Sequence, residues 1–505
     1  MAFTSRNSGV TIKEELLLRS WDKTKTRRIV IAEEKNDRLL KESRMKNSVV
    51  KKISLICVLI FLVLVCLPAC EIISNVIPRE KSEISSFEPY KKDYSLKEAQ
   101  LLNEADFRSI NTVRYDGLQQ QFPRISEEFR SAVNDFAKTV YASIRSTAVK
   151  DDFAFSPLSL YELLCVAALG SNDQTALTAL DGLLGMTKET RKADFINAYT
   201  ANYLSGENGT LQMYNAAFLT NDYTPNVEYV SALTDHFVEA FSMNFRSDAS
   251  VKKLLDWVDA KMGEKDFLTK EDLELQDDTI AYLFSTVFFD NKWSNAFVLT
   301  SNYEDTFYGK TEKTVSYMRH YYKGAVYDYG EYVSCYDYYR NGMKIQYFVP
   351  KDEKSDIYEL TKNKNLFDPS SDVLSDDEYI INLSLPQFSS ECALNLKEVL
   401  ASVGLAALFD RSGTSFNYMF SDLPKNATTY LTTAKQKNKV SFSVDGTIIK
   451  STVYIQKGGA TSAAPRQDGP STKIYTYDVK LDQPFIYVVY DKNDLPLYVG
   501  HVDMP

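Results

Sequence analysis

Between Lys439 and Thr472 the sequence changes character twice, and those changes limit what the chain can fold into. Residues 439–444 alternate apolar and polar, the period of a strand with one face buried. Asp445-Gly446-Thr447 follows as a joint, because glycine tolerates backbone angles that other residues avoid. Beyond it Thr447, Ile449, Ser451, Val453 and Ile455 share one face of an extended segment, and Ile448, Lys450, Thr452, Tyr454 and Gln456 share the other. The first face is small or apolar, as a half-buried strand requires. Residues 458–472 are then rich in Gly, Ala, Ser and Pro, the composition of an exposed, cuttable loop.

A second feature divides the chain. Residues 53–70 are 18 residues without a charge, just long enough to cross a hydrocarbon core of roughly 30 Å as a helix. Arg44, Lys46, Lys51 and Lys52 precede them and Glu71 follows, so the positive-inside bias leaves the N-terminus in the cytoplasm and the rest outside. On another reading, residues 45–70 resemble a bacterial lipoprotein signal with Cys70 as the lipidated residue, although Pro68 departs from that pattern. Both readings expect a membrane partner through residues 53–70. Both put the large domain on the extracytoplasmic side of the cell membrane, held by a single span or by lipid. The expected organisation is a polar segment over 1–44, the signal or anchor over 45–70, a charged stalk over 71–123, and one folded domain over 124–505.

The net charge of −10 and a pI near 5.2 argue against a nucleic-acid partner, since no excess of Lys and Arg is available for phosphates. The 33 Tyr and 28 Phe suit a β-rich protein. Phe129, Val133, Phe136, Ala137 and Val140 recur at helical spacing, which predicts a helix over 126–143. Runs at 282–289, 344–349 and 485–490 predict buried strands. Strands and helices do not alternate regularly, so the fold class is α+β rather than a doubly wound sheet.

Cys165, Cys335 and Cys392 are far apart and match no metal-ligand spacing. His236, His320 and His501 form no ligand pair, and neither a nucleophile elbow nor a phosphate loop is present. His236 lies in a helical stretch with Leu233, Phe237 and Phe241 and reads as a packed histidine. Nothing here calls for a cofactor, a metal or an enzyme.

Several patterns, in order, resemble the serpin family. Phe153-Ala154-Phe155-Ser156-Pro157-Leu158-Ser159-Leu160 is similar to its F-x-S-P-x-S-I segment, and Asp256-Trp257-Val258 to its N-x-W-V motif. Ser285-Thr286-Val287-Phe288-Phe289-Asp290-Asn291-Lys292-Trp293 is similar to N-x-I-Y-F-K-G-K-W, and Leu385-Pro386-Gln387-Phe388 to L-P-K-F. Pro484-Phe485 and Val499-Gly500-His501-Val502-Asp503-Met504-Pro505 resemble the family's H-P-F and G-R-V-x-x-P ending.

The resemblance implies a serpin fold: a large, mostly antiparallel central sheet, further sheets, surrounding helices and an exposed reactive-centre loop. It implies that a serine or cysteine protease cuts the loop and becomes acylated, after which the loop inserts into the sheet and distorts the protease. Insertion of this kind is a known case of β-strand addition. The hinge would be Gly446, Thr447, Ile448, Ile449, Lys450, Ser451 and Thr452. The family's usual count puts the scissile bond between Ala460 and Thr461, with Lys457 and Arg466 as rival cut sites for trypsin-like proteases. Ser156, Ser285, Trp293 and Gln436 fall in its breach and shutter regions. This hinge departs from the family's run of small residues, because Ile448, Ile449 and Lys450 are bulky. Two functions follow: an inhibitor that traps proteases, or a non-inhibitory serpin-fold binding module whose hinge is too bulky to insert in time.

Overall fold

Three sheets organise the chain, and the largest is built around the segment from which the sequence argument starts. The computed structural model describes residues 100–103, 123–148, 152–202, 204–206, 209–262, 264–297, 303–352, 355–362, 366–367, 369, 379–451 and 475–505. All of them belong to one unit, Ile84–Pro505. The apolar run 53–70, Cys70, Thr452, Lys457, Ala460, Thr461 and Arg466 lie outside the described residues. Among the described residues no helix is long and apolar enough to cross a membrane.

The first sheet has eight strands. Seven follow the order β1 (Gln100–Leu101), β5 (Val238–Met243), β4 (Gly209–Thr220), β6 (Ala281–Lys292), β15 (Gly446–Ser451), β14 (Lys435–Phe442) and β13 (Phe388–Asn395), while β3 (Leu204–Gly206) pairs with β4. Among its described pairings only β4 with β5 is parallel. The second sheet runs β2 (Phe153–Phe155), β18 (Pro496–Val502), β17 (Phe485–Tyr490), β11 (Lys344–Pro350), β10 (Tyr332–Tyr338) and β9 (Val326–Asp328). The third runs β16 (Tyr475–Lys480), β12 (Tyr379–Pro386), β8 (Glu312–Gly324) and β7 (Tyr303–Tyr308). β6, β11 and β17 contain the three apolar runs expected as buried strands.

Helix α1 (Glu127–Ser143) begins where the periodicity puts it. The Ser126 side chain accepts from Phe129 N, and Glu127 and Glu128 sit at the positive end of the helix dipole. Its face of Phe129, Val133, Phe136, Ala137 and Val140 is buried. Helix α2 (Pro157–Leu169) is capped by Ser156 and has Pro in its first turn, where a missing N–H costs nothing. It is apolar all round because it is a core helix packed against β6. Helices α3 (Gln174–Leu184), α4 (Lys192–Asn202) and α5 (Val227–Asp235) follow. The helical stretch around His236 is shorter than expected. It ends at Asp235, His236 is its cap, and Phe241 lies in β5.

Helix α6 (Asp248–Met262) covers the other face of the first sheet. Val251, Leu254, Trp257, Val258 and Met262 pack on Phe218, Phe241, Phe284 and Phe288, a core separate from the main one. The connection from α6 back to β6 carries a short helix, α7 (Lys270–Leu273), started by a capping box between Thr269 and Asp272.

The expected stalk over 71–123 is not all linker. Gln100 and Leu101 pair with Ser242 and Phe241 on the edge of β5. The Asn103 amide continues the ladder: Ala240 N donates to Oδ1 at 2.7 Å, and Nδ2 donates to Val238 O and Thr234 Oγ1 at 2.9 Å each. A strand of two residues extended by a side chain has no periodicity to detect, which is why the sequence shows only a charged spacer there.

Candidate functional site

The hinge strand β15 lies inside the first sheet, between β6 and β14, antiparallel to both. Its β-branched Thr447, Ile448 and Ile449 favour an extended backbone. Thr447 and Ile449 are fully buried, Ile448 is 38% exposed, and Lys450 is half-buried on the same side as Ile448. That is the two-faced arrangement the alternation predicts. Ile448, Ile449 and Lys450 are thus accommodated within the sheet.

The turn before the strand is tight. Ser443 N donates to Gly446 O at 3.0 Å, and Gly446 N to Ser443 O at 3.3 Å. Gly446 matters here for a reason other than the one its residue type suggests. Its φ is not in the positive region. What requires glycine is the approach to β6, since a Cβ would stand 2.1 Å from the carbonyl oxygen of Asn291.

Above the turn, Trp293 Nε1 donates to Ser443 O at 2.8 Å, and its indole stacks on Tyr339 at 4.9 Å between centroids. The Tyr339 hydroxyl donates to Thr447 Oγ1 at 3.0 Å in a buried site. Tyr339 is thus a hinge contact that the sequence argument missed. It sits in a Tyr-rich run that reads only as strand.

Beneath the strand, the N-terminus of α2 holds both neighbouring strands. Ser159 Oγ bonds Ser285 Oγ on β6 at 3.1 Å. On β14, Gln436 Oε1 accepts from Ser156 N at 3.0 Å and Gln436 Nε2 donates to Ser156 O at 3.3 Å. Ser156 Oγ in turn donates to Leu497 O in β18 at 2.7 Å. Ser156, Ser285 and Gln436 are brought together as one group through α2, and Trp293 stands apart at the turn. Glu162, one turn further along α2, is buried with Asn215 Nδ2 3.0 Å away, and burial pushes its carboxyl up to about 8 against that hydrogen bond.

Below Ser451 the space between β6 and β14 is part of a cavity of about 980 Å³ that also extends past 393–396 and 426–434. Its walls are 281–285 of β6 and 435–437 of β14, its floor includes Ser159, Leu160, Leu163 and Leu164 of α2, and Leu268, Asp272, Leu273 and Glu274 close it from the α6 side. That closing segment is tied to both walls. Tyr282 Oη donates to Leu273 O at 3.1 Å, and Lys435 Nζ meets Glu274 Oε1 at 2.8 Å.

Each of the three histidines is held by neighbouring groups. His236 Nδ1 lies 2.7 Å from Ala232 O, and the His320 ring nitrogens lie 3.0 Å from Asn295 O and from Asp337 Oδ2. His501 lies against Tyr141 and Asp503. Burial pushes the Cys165 and Cys335 thiols up to about 12, and Cys392 is raised by the same cause. No group of three or more His, Cys, Asp or Glu that could hold a metal occurs among the described residues.

Among the described residues, β15 thus lies between β6 and β14 with a cavity beyond its end. Comparison with known proteins agrees with the resemblance in the sequence. Residues 131–505 match the family described as Serpin (serine protease inhibitor). Alpha-1-antitrypsin 1-2 of Mus musculus is 23% identical over 402 residues, covering 77% of this chain and 92% of that protein. Among solved structures, cleaved Serpin 42Da is similar with a TM-score of 0.63 at 20% identity, covering 75% of this chain and 99% of that one. The thermophilic serpin tengpin in its native state gives 0.62 at 21% identity, covering 81% and 100%. The chain belongs to the serpin family.

Proposed function

We propose that this serpin inhibits serine or cysteine endopeptidases by offering residues 452–474 as a cleavable loop and inserting the freed strand into its first sheet. The observation that carries this reading is the hinge: β15 already occupies the upper part of the slot, and the cavity below continues it. Continuing the same register would set Thr452 opposite Thr286 and Lys437, and Val453 opposite Ser285 and Gln436. Lys457 would then reach Ala281, the end of β6. From Thr452 to Ala460, at about 3.3 Å per residue, the strand would travel roughly 30 Å. Val453 and Ile455 would enter the main core side, as Thr447 and Ile449 do. In this reading the chain supplies no catalytic group; burial of the strand supplies the driving force.

Accommodation of Ile448, Ile449 and Lys450 in the sheet supports the inhibitory reading; a non-inhibitory binding module, whose hinge enters too slowly to trap a protease, is the alternative. The domain is proposed to act on the extracytoplasmic side of a membrane, held through residues 53–70 or a lipid on Cys70. That part rests on the uncharged run and its basic flank alone.

The test is incubation with elastase-, subtilisin-, papain- and trypsin-like proteases. A covalent complex that survives boiling in detergent is expected. Mass spectrometry of the released fragment then separates a cut after Ala460 from cuts after Lys457 or Arg466. Clean turnover of the loop by every protease, with no complex, overturns the reading.

A further inference from the structure

Lys450 is the one charged residue of β15, and it sits directly opposite Lys439 of β14. Two ammonium groups facing each other across a ladder destabilise the pairing. Glu264, two residues beyond the end of α6, resolves the conflict. Oε2 accepts from Lys450 Nζ at 2.6 Å, while Oε1 accepts from Lys439 Nζ. Glu391 Oε2 lies a further 3.2 Å from Lys439. The three side chains are only 21–29% exposed, so the contact is partly withdrawn from water. Burial alone would raise the Glu264 carboxyl. The hydrogen bonds from Lys439 and Lys450 outweigh it and hold the group below its ordinary value.

We propose that Glu264 is a positioning residue for hinge insertion: a carboxylate held ready by Lys439 that receives Lys450 as β15 enters the sheet. This rests on the reading of 446–474 as an inserting strand. It explains how a hinge with a lysine where the resembled family has a small residue can enter. The lysine has a receptor on the α6–β6 connection, and Asp290 of β6 adds a further electrostatic attraction. Because the receptor is ionic and only partly buried, hinge occupancy becomes sensitive to ionic strength.

The experiment is hydrogen exchange of the 447–451 amides in the full chain without protease. It compares wild type, Glu264→Gln, Lys450→Ala and the double variant, at about 0.05 M and about 1 M salt. For a partly buried charged hydrogen bond, Glu264→Gln is expected to speed exchange about three- to tenfold at low salt, with a smaller difference at high salt. In the Lys450→Ala background the same substitution should leave these amides unchanged. An equal effect of Glu264→Gln with or without Lys450 overturns the proposal, because the residue would then act through the α6–β6 connection alone. No effect in either background overturns it too. The swapped pair, Glu264→Lys with Lys450→Glu, should recover part of the lost protection, and failure to do so counts against a direct contact. This readout needs no protease, so the receptor can stand while the inhibitory reading fails, and the protease panel can succeed while the receptor fails.

Discussion

Substituting alanine for Gly446 would place a methyl group 2.1 Å from the Asn291 carbonyl oxygen and 2.9 Å from the Lys292 Cα. Ordinary contacts begin near 3.4 Å, and both obstructing atoms are main chain of β6, so no side chain can swing away. The backbone angle of Gly446 is not in the left-handed region, so the clash is the whole effect. Forcing β15 and β6 apart by about 1 Å costs about 1–3 kcal/mol as overpacking, and a weakened ladder contact adds about 1 kcal/mol. A total near 3 kcal/mol disfavours the inserted hinge about a hundredfold. The assay is again exchange of the 447–451 amides, with the number of inhibitor molecules consumed per protease trapped as a second readout. Both should rise strongly in Gly446→Ala. Gly182 on α3 is the control: a Cβ there meets nothing within 4 Å, and Gly182→Ala should stabilise the helix by about 0.5–1 kcal/mol. If Gly446→Ala keeps hinge protection and trapping at wild-type levels, the close approach to β6 is not what admits the strand.

Other outcomes follow from the same site. Glu162 stays protonated in the folded state to about pH 8, whereas its ordinary value is 4.5. Its folded-state value is raised, so its contribution is full below pH 4.5 and is lost as pH rises towards 8. It amounts to about 5 kcal/mol, and Glu162→Gln should flatten the stability profile measured by urea unfolding across that window. Thr447→Val leaves the buried Tyr339 hydroxyl without its acceptor and should cost about 1–3 kcal/mol of hinge protection, of which Tyr339→Phe in the same chain recovers a part. Asn103→Ala removes the side chain that extends β1, and the Ala240 amide should exchange at least several-fold faster.

The strand character of β14 and β15 and the apolar face of α1 were legible because each rests on local periodicity. The grouping of Ser156, Ser285 and Gln436 came through the family resemblance, since residues so far apart in sequence carry no local signal of their contact. Tyr339 and Glu264 were not legible. Both act by long-range proximity, and neither lies in a pattern of its own. Lys450 did hold a clue, because a charge in a strand meant for a sheet interior implies a counter-charge somewhere, without saying where. The role of Gly446 was misassigned for a related reason. Glycine in a sequence suggests unusual backbone angles, and only the neighbouring strand shows that space is what is short.

The central claim is that the rest of the loop can follow β15 into the sheet. The most direct measurement is the melting temperature of the intact chain against the same chain nicked once within 452–474. Burial of Val453 and Ile455 and completion of the ladder should raise it by about 10 °C or more. An unchanged or lowered melting temperature after a verified cut would contradict the account.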